Sequence, residues 1–100
     1  MSTPAWGLLT LLHPNSPNPF LGQTSIPFTL GAAGPVKLTI YDVSGRLVRT
    51  VLNEPLPAGD HSVTWDGVVN SASPNGVYFY RLQVGDLTQT RKMVMMPSTR

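Results

Sequence analysis

Residues 75–96 read NGVYFYRLQVGDLTQTRKMVMM, and this stretch decides the fold. Tyr78, Tyr80, Leu82 and Val84 alternate with Val77, Phe79, Arg81 and Gln83, which is the two-residue period of a strand with one buried face. Gly85-Asp86 forms a two-residue hairpin turn, and residues 87–96 are the returning strand. Gly76 is expected at positive φ, so a β-branched residue there would unfold the hairpin.

Working upstream, the same alternation recurs. Val36, Leu38 and Ile40 point one way across residues 36–42, while Lys37, Thr39 and Tyr41 point the other. Asp42-Val43-Ser44-Gly45 is a turn with Gly45 at positive φ, leading into a strand over residues 46–52. Residues 53–59 read as a proline-rich connection. His61, Val63 and Trp65 share a face of the strand over residues 60–65, and Trp65 is the expected centre of the core because it buries the most apolar area. Ile26, Phe28 and Leu30 define the strand over residues 24–30. Pro27 cannot donate to a ladder, which places that strand at an edge or turns the proline to an unpaired side. Three prolines in residues 13–19 predict a stiff, extended lead-in.

Six strands result, or seven if the apolar arm docks as an edge strand. The expected fold is an all-β antiparallel sandwich, immunoglobulin-like or fibronectin type III-like. Residues 1–13 read as a linker or apolar arm, residues 14–96 as the sandwich and residues 97–100 as a disordered tail. Trp6, Leu8, Leu9, Leu11 and Leu12 would be a liability in water, so the arm is expected to dock on the core or on a neighbouring domain.

Composition narrows the function. One hundred residues make one domain, with 12% charged residues, ten prolines and nine glycines. The net charge of +2 is spread thinly, and a scattered set of cations does not make a nucleic-acid stripe. The absence of cysteine excludes disulfides and thiolate metal sites. Residues 5–12 are too short to span a bilayer, and no Lys or Arg precedes Lys37 to form a signal-peptide n-region. The expectation is a tail of a longer protein whose export signal lies upstream.

Side chains that carry chemistry are sparse. His13 and His61 have no carboxylate at ligand spacing, and His61 reads as a half-buried strand histidine. Asp66, Asn70, Ser71, Ser73 and Asn75 offer one carboxylate among neutral oxygens, which reads better as a hydrogen-bonded loop than as a calcium site. Asp42 is expected to cap its own turn. The serines lack a base partner and a nucleophile elbow, and residues 31–34 lack the Lys-Ser/Thr of a phosphate loop. No enzyme, metal, cofactor or small-molecule substrate is expected. Tyr41 and Phe79 are a thin basis for a sugar platform. Arg91-Lys92 before an apolar Met-rich strand reads as an edge with gatekeeper charges, or as a segment recognised by strand addition.

The motifs also carry a resemblance. Asn18-Pro19-Phe20, Ile40-Tyr41-Asp42 with Gly45-Arg46, and Ala58-Gly59 with His61 and Trp65-Asp66-Gly67 come in that order, followed by residues 76–82 and Arg91-Lys92. Residues 14–96 resemble the C-terminal sorting domains of bacterial type IX (Por) secretion, in the variant related to the Ig-like domain of the flagellar hook-capping protein. The resemblance implies a non-enzymatic module at the end of a secreted or cell-surface protein. Its partners would be an upstream passenger domain and an outer-membrane translocon, with transient outer-membrane association. Asn18, Pro19, Gly76, Tyr78, Arg91 and Lys92 would then carry recognition. A structural module of a hook-capping-like or extracellular scaffold is the alternative, and a carbohydrate-binding appendage a weaker one.

Overall fold

A computed structural model describes residues 10–67 and 76–96. Its strands are β1 (Leu11–Leu12), β2 (Thr24–Leu30), β3 (Gly34–Asp42), β4 (Leu47–Leu56), β5 (Gly59–Trp65), β6 (Val77–Val84) and β7 (Leu87–Val94). They form two antiparallel sheets, β1-β2-β5 and β4-β3-β6-β7, facing one another. The expected all-β sandwich of six to seven strands forms, with seven among the described residues.

Alternation builds the core. β6 sends Tyr78, Tyr80, Leu82 and Val84 inward at 1% exposure or less, and β3 adds Val36, Leu38 and Ile40. From the other sheet come Ile26, Phe28, Leu30 and Trp65. Trp65 lies edge-on to Phe20 at 5.8 Å and to Tyr78 at 5.6 Å, the arrangement that ring quadrupoles favour. Gly45 takes φ 87° in the β3–β4 turn, and Val84 pairs with Leu87 across Gly85-Asp86. Asp42 Oδ1 accepts hydrogen bonds from the Ser44 and Arg46 amides, capping that turn as expected.

Several boundaries differ from the sequence expectation. β4 runs on to Leu56, so residues 53–56 are strand and only Pro57-Ala58 connect to β5. Pro55 lies opposite Pro35 at the end of this edge strand, where a missing N–H interrupts little. β3 starts two residues early, at Gly34, and β7 ends at Val94. Pro27 lies within the middle strand of its sheet. Its carbonyl accepts from the His13 amide, so its donor-less nitrogen faces the side where β1 gives out, away from β5.

The lead-in is not a free extended arm. Asn15 is 4% exposed and Phe20 is fully buried, and Ser16 bridges antiparallel to Ser25. The Ser16–Pro17 and Asn18–Pro19 peptide bonds are both cis. Leu11 and Leu12, at the end of the apolar arm, pair with Thr29 and Phe28 as an edge strand.

Candidate functional site

Most of the predicted recognition residues converge on the last turn of the chain's pairing, where β7 ends. Val94 donates its amide to Asn18 Oδ1 at 3.0 Å, and its carbonyl accepts from the Phe20 amide at 2.9 Å. Met96 donates back to the Phe20 carbonyl at 2.7 Å, so the lead-in lies parallel to the end of β7. On the other side Met95 donates to the Gly76 carbonyl at 2.8 Å, and Tyr78 pairs with Met93. Residues 93–96 are thus held from both flanks as a clasp.

Each predicted residue has a definite place. Asn18 supplies a side-chain oxygen in place of a ladder carbonyl, and exposed Pro19 turns the chain toward Phe20. Gly76 sits at φ 74°, and a Cβ there would collide with the Met95 carbonyl oxygen. Glycine is required by both conformation and space. The Tyr78 ring is fully buried against Trp65, so it shapes the clasp from inside rather than offering a contact. Arg91 donates through Nε to the Leu12 carbonyl at 2.8 Å. Lys92 is exposed on the outer face, opposite Phe79.

Two anchors went unread in the sequence. Gln89 accepts from the Leu12 amide through Oε1 at 2.8 Å and donates through Nε2 to the Thr10 carbonyl at 2.9 Å. Together with Arg91 it replaces a backbone ladder between β1 and β7 with side chains. Tyr80, fully buried, donates to the His13 carbonyl and accepts from the Asn15 amide. Its position on the core face of β6 was the available signal, since a buried phenol calls for a partner. Burial, against the Asn15 bond and the Arg91 charge, pushes its pKa above the ordinary 10.0.

A shallow groove of about 180 Å³ marks the outer face of the four-stranded sheet, lined by Tyr41, Phe79, Arg81 and Thr90 and closed at one end by the β3–β4 turn. The Arg81 guanidinium carbon lies 4.6 Å from the Tyr41 ring centroid. Tyr41 and Phe79, paired across the strands, are half-buried rather than open. At the end of the groove the Asp42 carboxyl is held below its ordinary 3.8, chiefly by the Ser44 hydroxyl and then by the Arg46 amide.

His61 stacks on Phe28 at 5.5 Å, with Nε2 2.7 Å from the Pro57 carbonyl. Among the described residues no three His, Asp or Glu side chains gather closely enough to hold a metal ion. Of the weak calcium set, Asp66 is described, while Asn70, Ser71, Ser73 and Asn75 lie outside the described residues.

With this geometry in place, known proteins are informative. A family model described as the FlgD Ig-like domain matches residues 16–87. The basal-body rod modification protein FlgD of Escherichia coli (strain K12) is 45% identical over 60 residues, covering 55% of this chain and 26% of that protein. Among solved structures, dimeric latent PorU from Porphyromonas gingivalis superimposes with a TM-score of 0.63 at 21% identity. The superposition covers 89% of this chain and 9% of PorU. The Ig1 domain of mouse SynCAM 2 gives a TM-score of 0.44 at 14% identity, over 87% of this chain and 92% of that one.

Proposed function

This chain belongs to the FlgD Ig-like domain family, and from that membership we propose that it is a non-enzymatic structural and assembly module of a flagellar hook-capping-like or extracellular scaffold. The observation that carries the reading is the family match itself. It runs from the Ser16 bridge through β2, β3, β4, β5 and β6 to the first residue of β7. Such a module acts by presenting rigid sheet faces to neighbouring proteins rather than by transforming a substrate. Its partners are proteins, and it works outside the cytoplasm.

The test is an exchange in E. coli FlgD, with the matching Ig segment replaced by residues 10–96 of this chain. Motility in cells lacking their own FlgD is the expected result. A full-length, folded chimera that leaves the cells non-motile would sink the reading.

A second reading is a C-terminal sorting and anchoring module read by the type IX translocon. It draws on the ordered motif run and on exposed Lys92 beside the clasp, beyond the end of the family match. A reporter carrying the chain behind a signal peptide would be followed in a type IX-competent bacterium. Stopping the chain at Gln89 would be a poor comparison, because it removes fully buried Met93 along with the signal. Lys92→Glu is the better partner variant, and surface fluorescence lost in it alone would support sorting. Periplasmic retention of both, in cells that export their own cargo, would leave assembly as the function.

A further inference from the structure

The outer face of the four-stranded sheet carries an arrangement of which the sorting reading uses only Lys92. Lys37 stands opposite Gln83, Arg81 opposite Thr39 and Thr90, and Lys92 opposite Phe79. Cross-strand partners share a face, so these three cations form a diagonal across β3, β6 and β7. Diagonal neighbours of this kind lie about 7–8 Å apart. Their cross-strand partners are Gln83, Thr39, Thr90, Asn53 and Phe79, so the diagonal meets no carboxylate on the ladder. Asp42, at the end of the face, is taken up by its own turn.

We propose that this face docks an acidic, extended peptide segment of a partner protein, with the Arg81 groove receiving one carboxylate and Lys37 and Lys92 receiving its neighbours. Alternate side chains of an extended strand recur about every 6.5–7 Å, which matches the spacing of the cations within side-chain reach. The groove is sized for a side chain, and Arg81 is already steadied by Tyr41. A planar guanidinium stacked on a ring loses little freedom when it grips a carboxylate. A neutral glycan fits less well, because the guanidinium covers a face of the ring that would otherwise stack a sugar. A duplex or single-stranded nucleic acid asks for a longer run of cations than these three.

The surface shares Lys92 with the sorting reading but none of the clasp's hydrogen bonds, and the test reads binding in solution through Arg81 and Lys37. It therefore stands or falls apart from the assembly and sorting readings. The full chain would be titrated into a fluorescein-labelled peptide of alternating Glu and Ser, followed by anisotropy. Saturable binding is expected, falling as salt rises. A peptide with Gln in place of Glu should not bind. Arg81→Gln should weaken binding roughly tenfold, as expected for loss of a charge-assisted pair. Lys37→Gln, at an exposed position, should weaken it too and serves as the deciding variant should Arg81→Gln fold poorly. Equal binding of the Gln peptide, no saturable binding, or indifference to the Lys37 variant would overturn the proposal. So would binding of heparin oligosaccharides without the Glu peptide, which would reassign the face to sulfated glycans.

Discussion

Tyr80 shows how one side chain joins distant segments of the chain. Its ring fills the core while its hydroxyl holds the backbone of His13 and Asn15, 67 and 65 residues away. Replacing it with Phe keeps the ring but leaves one buried and one partly buried backbone group unanswered, at a cost of roughly 1–3 kcal/mol. Urea melts should show this as a lower midpoint with an unchanged slope. The pH dependence has a definite sign as well. The folded pKa is raised, so the stability linked to the neutral phenol is complete below 10.0 and is lost as pH rises through the folded value. Tyr80→Phe should lack that part of the alkaline decline, and identical alkaline limbs in both proteins would refute the linkage. That Tyr80 faces the core was legible from alternation. Where its hydroxyl goes was not, because a lead-in with no periodicity gives no sign of where it docks.

At the scale of elements, β2 and β6 are legible to the residue because each alternates cleanly between a buried and a half-buried face. The sequence makes β4 look shorter because Pro55 and Pro57 read as connection, yet an edge strand tolerates Pro55 opposite another proline, and only Pro57 lies in the connection. The clasp was legible only as a set of residue types. Asn18, Gly76 and Tyr78 stand out in the sequence, but the bonds that unite them, from the Met95 amide to the Gly76 carbonyl and from the Val94 amide to the Asn18 side chain, join groups far apart along the chain, and long-range pairing of that kind has no local signature. Gly76→Val tests the element directly. Left-handed φ costs a non-glycine residue about 1–2 kcal/mol, and the collision with Met95 adds to that. The variant should melt earlier, and its Met95 amide should exchange hydrogen much faster, because its bond to the Gly76 carbonyl is lost. Unchanged protection at Met95 would mean that the clasp does not depend on this turn.

For the whole molecule, the fold class followed from the strand pattern, whereas the role of the N-terminal arm did not. Leu12 is 2% exposed and belongs to the core, although a boundary at Pro14 had looked natural in the sequence. A chain starting at Pro14 should therefore lose roughly 2–5 kcal/mol, the range for removing a buried leucine side chain, with the freed Gln89 and Arg91 adding to the loss. Equal denaturation midpoints for the long and short chains would show the arm to be dispensable. The way this arm is fastened has a mechanical consequence. Thr10 and Leu12 are tied to Gln89 and Arg91, and Asn18 and Phe20 to residues 94–96, so the lead-in runs parallel to β7 along its length. Tension drawn from residue 10 toward one side and residue 96 toward the other would slide these two segments past each other. The bonds between them would share the load in shear instead of opening one after another. A scaffold subunit pulled through its two ends would then yield only when the whole seam failed together.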